Sequence, residues 1–246
     1  MNSNPTLYFF NPLKFKFLES PLPELEHENW AGYMGSLPVR SNNQAGEHIQ
    51  NDIYGELILT LTPIFLDERF YHFRNKTIEK LLLHLVRLCQ KNIAKADAGL
   101  WELRNGWQVH SLSNLMCWAG IHRAKKIQEK NFLKFTDINL EEMEHIAIKE
   151  FLLSVKEGSA RNGINDDSYD ASLLLFPILN YPDKQLSEKT VSSIVEKLSL
   201  KDDTGKTSGF LYRYLRSDGF GTPPAYSHVG QINAAFSISD SWDKVL

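Results

Sequence analysis

The stretch Asp97-Ala98-Gly99-Leu100-Trp101-Glu102-Leu103-Arg104 brings an indole, a carboxylate and a guanidinium together in one short segment. These residue types suit sugar chemistry. Aromatic faces stack on the apolar faces of pyranose rings, and Arg and carboxylate groups hydrogen-bond the hydroxyls. A Glu held against an indole is partly desolvated, which favours its protonated form and keeps a proton ready for a leaving glycosidic oxygen. The same residues also fit a surface loop with a packed Trp and an Arg lying along it. Trp107, His110 and His228 fit either a cleft lining or ordinary packing and hydrogen bonding, and so does Trp30. Trp118 falls in the middle of an apolar helical pattern and is expected in the core. Tyr54 and Glu56 share a helix and brace whatever lies above it. Asp166 and Asp167 are expected to cap the next helix. Neither a glycine-rich phosphate loop nor metal-ligand spacing is evident, so no cofactor and no metal are expected.

Amphipathic helices must position these residues. Asp52 to Phe65 opens the series. Asn75 to Lys91 follows, with Ile78, Leu81, Leu82, Leu85, Leu88 and Cys89 recurring at three- and four-residue spacing. A third helix is expected over Ser111 to Lys130. A fourth is capped by Asn139, with Glu142 in the first turn and Met143, Ile146 and Ala147 inward. Asp170 to Leu179 is almost continuously apolar and reads as buried all round. Ser187 is expected to cap a sixth helix carrying Val191, Ile194, Val195 and Leu198. The last begins near Pro224, a good first-turn residue. Roughly seven helices result, and no strand-like alternation competes with them. Three long connections, Asn92 to His110, Lys156 to Tyr169 and Lys201 to Pro224, are the expected carriers of function.

Composition narrows the partners. The chain has 246 residues, a formal charge of -3, 42% hydrophobic and 23% charged residues, which is ordinary for a soluble globular protein. Such a balance gives no electrostatic reason to expect nucleic acid or an anionic membrane. Cys89 and Cys117 sit in apolar helical stretches and are expected as buried, reduced thiols. The opening residues have no basic segment followed by a long apolar core, and no apolar run is long enough to span a bilayer, so a cytoplasmic location is expected. The sequon Asn75-Lys76-Thr77 reads as a helix start, because Asn is a good N-cap.

Several segments together resemble glycoside hydrolase family 15 (glucoamylases, glucodextranases and some trehalases). Gly99 to Arg104, GLWELR, is similar to its general-acid motif. Gly32 to Arg40, GYMGSLPVR, resembles its GYxGSxPVR segment, and Gln50 to Glu56 its Q-x-D-x-YGE helix. Ser113 to Ala119, with His122-Arg123-Ala124, resembles the helix after the acid loop. Tyr169 to Leu175 is similar to LDASLLLLP, and Gly209 to Tyr214 to GLLYRY. The matches keep the family's order from Leu22 to Ala235.

The resemblance implies an all-α fold, an (α/α)6 toroid with an inner ring of helices inside an outer one. It implies hydrolysis of α-glucosidic bonds with inversion, by two carboxylates and no cofactor. One protonates the leaving oxygen and the other activates water, roughly 6.5–9.5 Å away. Glu102 matches the general acid. Trp101, Arg104, Trp107, His110 and Arg40 are the expected sugar contacts. Two departures go with it. The family's N-terminal part has no counterpart here: residues 1–21 read as an irregular segment and 22–246 as a partial, incomplete toroid. A separate chain supplying the N-terminal helices, or self-association, would complete the ring. Second, Phe220-Gly221-Thr222-Pro223-Pro224 carries proline where an FGTPE pattern places the catalytic base. Asp218 is the nearest carboxylate and a weak candidate base. The expected partner is an α-glucoside or oligosaccharide, with little or no activity from this chain alone. A non-catalytic glycan-binding remnant and a helical protein-binding scaffold are the alternatives, the latter opposed by irregular loop lengths and the lack of a fixed repeat.

Overall fold

The computed structural model describes residues 23–32, 35, 37–41, 48–102, 106–215 and 230–235. Five α-helices form its frame: α1 Asp52–Leu66, α2 Lys76–Asn92, α3 Ser111–Glu129, α4 Leu140–Leu152 and α5 Lys184–Leu198. Residues 230–235 are also helical. The fold is all-α in its core, and the seven expected helical stretches are found in their expected order.

Local chemistry explains most boundaries. Asn75 accepts hydrogen bonds from the backbone N–H groups of Thr77 and Ile78 and starts α2. Asn139 does the same for Glu142 at the start of α4, each cap contributing about 1 kcal/mol. On α2 the stripe Leu82, Leu85, Val86, Leu88 and Cys89 is buried. Each fully buried aliphatic side chain there contributes about 1.5–3 kcal/mol. Cys89 and Cys117 are buried free thiols, and Trp118 has 0% exposure.

Helix α3 is the axis of the molecule. Every residue from Ser111 to Ile121 is buried, and α1 and α4 pack along its sides. The α1–α3 crossing explains the glycine in the Tyr54-Gly55-Glu56 triplet. A Cβ on Gly55 would lie 2.0 Å from the carbonyl oxygen of Met116, while one on Gly120 would lie 3.1 Å from the Gly55 Cα. Two backbones in such close approach leave no room for a methyl group on Gly55 without separating the helices.

Two helical expectations need correction. The apolar run after Asp170 forms two 3-10 segments, Ala171–Leu175 and Pro177–Leu179, instead of an α-helix. Pro177 has no N–H to donate and its ring opposes the carbonyl four residues earlier, which disfavours a regular helix through it. Helix α5 starts earlier than expected, capped by Asp183, whose side chain accepts from the Leu186 N–H; Ser187 is buried inside the helix. The preceding 3-10 segment closes at Asn180, and Asp183, just after Pro182, is the first strong cap that follows.

Short strands are also present: β1 Leu25–His27 with β2 Val39–Ser41, β3 Val155–Lys156 with β4 Ser159–Ala160, and β5 Ser199–Lys201 with β6 Thr207–Leu211, each pair antiparallel. In the second pair Glu157 and Gly158 both have positive φ, 55° and 74°, the geometry of a two-residue hairpin turn. Pairs of two to five residues are too short for alternation to be legible. Among the described residues no helix is long and apolar enough to cross a membrane.

Candidate active site

The loop that carries Glu102, called the acid loop after the motif it resembles, leaves the end of α2 and returns to the start of α3. An antiparallel bridge between Asp97 and Gln108 closes it at its base, with reciprocal backbone bonds of 2.9 and 3.2 Å. Trp101, Glu102 and Trp107 therefore belong to one closed loop. Its first half is anchored from below by Asp97. This buried carboxylate accepts from the backbone N–H of Asn51 at 2.7 Å, the Ser113 hydroxyl at 2.7 Å and the Gly99 N–H at 3.2 Å. One side chain thus ties the start of α1, the first turn of α3 and the acid loop together. The Gln50 amide adds a bond to the Gly99 carbonyl, 3.2 Å.

Gly99 to Glu102 form a tight turn, the Glu102 N–H donating to the Gly99 carbonyl at 3.1 Å. Glu102 itself has φ 54°. A left-handed backbone at a residue with a Cβ costs about 1–2 kcal/mol and persists only where the surroundings fix it. Glu102 is half-buried in this turn. Gly99 is left-handed too, at 67°, and a Cβ on it would lie 2.7 Å from His110 Nε2. The imidazole is packed directly against this glycine.

His110 is buried beneath the loop, and the hydrogen-bonding role of its Nδ1 follows from its neighbours. Burial pushes the Asp166 carboxyl up, but donors from Ser168, Gln108 and Asn162 outweigh that and hold it below the usual carboxylate range. A carboxylate only accepts, so Asn162 gives it Nδ2, at 2.8 Å. The Asn162 oxygen then faces His110 Nδ1 at 3.1 Å, and Nδ1 must carry the hydrogen. His110 is a packed, hydrogen-bonded support. Asp166 caps no helix, contrary to expectation; it knits the loop before Tyr169 to Gln108, at 2.9 Å. Asp170 caps the 3-10 segment instead, accepting from the Ser172 N–H.

Trp101 is held from three directions. Its indole N–H donates to Asp170 at 2.7 Å. The Arg213 guanidinium carbon lies 5.7 Å from the indole centroid, and the Tyr214 ring 6.5 Å away. Burial pushes the Asp170 carboxyl up, with the Ser172 and Trp101 N–H groups pulling back. Trp107 is 39% exposed and meets His48 edge-on at 6.2 Å. Arg40 lies on β2, in ion pairs with Glu24 at 3.0 Å and Glu26 at 2.6 Å. Arg104, Asp218, His228 and the Phe220 to Pro224 segment lie outside the described residues. Asp97, Asp170, Arg213 and Tyr214 stand in segments the sequence marks, but were given no role there; their long-range partners leave no local signal.

Beneath the loop three carboxylates crowd the first turn of α1. Burial, then repulsion from Glu56 and Asp97, pushes Asp52 up to about 7. The folded state therefore holds the Asp52 proton more tightly than the unfolded chain. This contribution is complete below about pH 4 and is lost as pH rises through 7, a change on the order of 4 kcal/mol. Wild-type stability in urea is expected to fall between pH 4 and 8, with a much flatter profile for Asp52→Asn. Equal slopes in the two proteins would exclude Asp52 as the source.

The family model described as Glycosyl hydrolases family 15 matches residues 18–223. The chain belongs to this glycosidase family. Trehalase 1 of Sulfolobus acidocaldarius is 27% identical over 226 residues, covering 90% of this chain and 36% of that protein. A trehalase of Mycolicibacterium smegmatis is 28% identical over 187 residues, 74% of this chain and 27% of its own length. A trehalase of Thermoplasma acidophilum is 26% identical over 207 residues, with 79% and 32% covered. The family 15 chain thus spans 27–36% of the length of these relatives.

Proposed function

We propose that this family 15 chain acts on α-glucosides, with trehalose the first candidate substrate, and that Glu102 is the general acid of an inverting hydrolysis. The observation that carries the reading is the left-handed turn at Glu102, fixed over Asp97 and His110 and flanked by an anchored indole. Backbone strain of this kind is enriched at functional sites. Trehalose is favoured because the similar proteins are named trehalases.

In the proposed reaction the Glu102 carboxyl gives its proton to the glycosidic oxygen as the C1–O bond breaks. Water adds to the opposite face of the sugar and gives up a proton to a base, leaving one β-glucose and one α-glucose from trehalose. Trp101, Trp107 and Arg104 are the proposed sugar contacts. Water activation is the weak half. Asp218 is the candidate base, and proline stands at 224. Loss of general-base help costs about 10²–10⁴ in rate, so slow turnover is proposed for this chain.

Proton NMR of the purified protein with trehalose, maltotriose and isomaltose tests this. Slow release is expected, with new β-anomer appearing ahead of mutarotation. A retained α-anomer as the sole first product would contradict an inverting site. Proline at 224 favours a second reading, a glycan binder without catalysis. Saturable trehalose binding with no release over days would select it.

A further inference from the structure

Asp170 is a buried carboxylate, 5% exposed, whose one oxygen Oδ1 takes two donors: the Trp101 indole N–H at 2.7 Å and the Ser172 backbone N–H at 2.8 Å. Capping explains only the second bond. A serine would satisfy Ser172 as well, without the desolvation that burying a carboxylate costs. What a serine is too short to do is reach the indole, 69 residues earlier in the chain. The neighbouring residue adds a second grip. The Ala171 N–H donates to the Arg213 carbonyl at 2.9 Å, and the Arg213 guanidinium lies over the Trp101 ring. Two consecutive residues thus fasten both the acid-loop indole and the chain segment that covers it.

We propose that Asp170 is a positioning residue for the glucoside site: it fixes the plane of the Trp101 indole beside Glu102, and sugar binding depends on that fixed plane. The proposal rests on the glucoside reading given above. Asp170 acts through Trp101 and touches no substrate. A ring held by a charge-assisted bond at its N–H cannot swing about its side-chain torsions, so its face is presented to a sugar without further ordering. A loose ring has to be ordered on binding, and small misplacements near a reacting centre cost about tenfold to a hundredfold in rate.

Indole resonances in ¹⁵N–¹H spectra of the labelled full chain, combined with trehalose and maltotriose titrations, test this. The sequence has five tryptophans, and the Trp101 signal is identified by its absence from Trp101→Phe. Asp170→Ser keeps the cap and removes the indole bond. In that variant the Trp101 signal is expected to move and to exchange with solvent faster, the other indole signals staying in place. Sugar affinity falls about two- to tenfold. Asp170→Asn, which keeps an acceptor oxygen in reach, is expected to restore part of both. An unmoved Trp101 signal in Asp170→Ser overturns the proposal. So does a moved signal with unchanged sugar affinity. A wild-type protein that binds neither sugar defeats the glucoside reading instead, and the indole signal then still decides whether Asp170 holds Trp101.

Discussion

Glu102→Gln is expected to lower glucose release from trehalose by a factor of about 10²–10⁴, the usual worth of a positioned general acid. Trehalose is a demanding substrate in this respect. Its leaving group is a sugar hydroxyl, which departs poorly unless it is protonated as the bond breaks. Glutamine fills the same space and keeps the left-handed turn between Gly99 and Glu102, so binding should change little. The loss is therefore expected in kcat, with KM nearly unchanged, the pattern of an interaction made only in the transition state. A loss confined to KM would make Glu102 a binding group and not an acid.

The second large effect concerns stability. Asp97→Ala removes the acceptor for the Asn51 N–H, the Gly99 N–H and the Ser113 hydroxyl. The serine can turn to another partner. The two backbone donors are fixed by α1 and by the acid loop. Each stranded buried donor costs about 1–3 kcal/mol, so a loss of roughly 2–5 kcal/mol is expected, read as a lower urea midpoint at unchanged m-value. The acid loop loses its footing as well, and turnover should fall with stability. Asp97 also helps to push Asp52 up. Removing it should weaken the fall in stability between pH 4 and 8, which couples this experiment to the Asp52→Asn profile. A variant as stable as wild type would mean that the loop is held by Gln50 and the packing of His110 alone.

Sequence and structure agree where the signal is local. The apolar spacing of Leu82, Leu85 and Leu88 defines α2, and Asn75 and Asn139 cap the helices they precede. The family motif around Glu102 is legible for the same reason, since its residues are consecutive. Short-range signals fail when two of them compete. Ser187 is a reasonable cap, but Asp183 is a better one and follows a proline. The run from Ala171 to Leu179 has the composition of a buried helix and lacks its period, and Pro177 decides the matter. The residues that support the site stand in segments the sequence marks, but their long-range pairings were not legible. Asp170 meets Trp101, and Asp166 meets Gln108 58 residues away, through contacts that only the folded chain creates. Asp166 also shows how the same residue type changes role. An Asp ahead of an apolar run reads as a cap, yet here it lies too far before Ala171 to reach its N–H groups and ties two loops together instead.

Leaving-group dependence tests the central claim most directly. Fluoride departs from α-glucosyl fluoride with little need of a proton, whereas the sugar oxygen of trehalose needs one. Initial rates for both substrates, measured with wild type and Glu102→Gln, separate acid catalysis from every structural role. The expected result is a loss of about 10²–10⁴ on trehalose and less than about tenfold on the fluoride. Equal losses on the two substrates, or none on either, would contradict Glu102 as the proton donor.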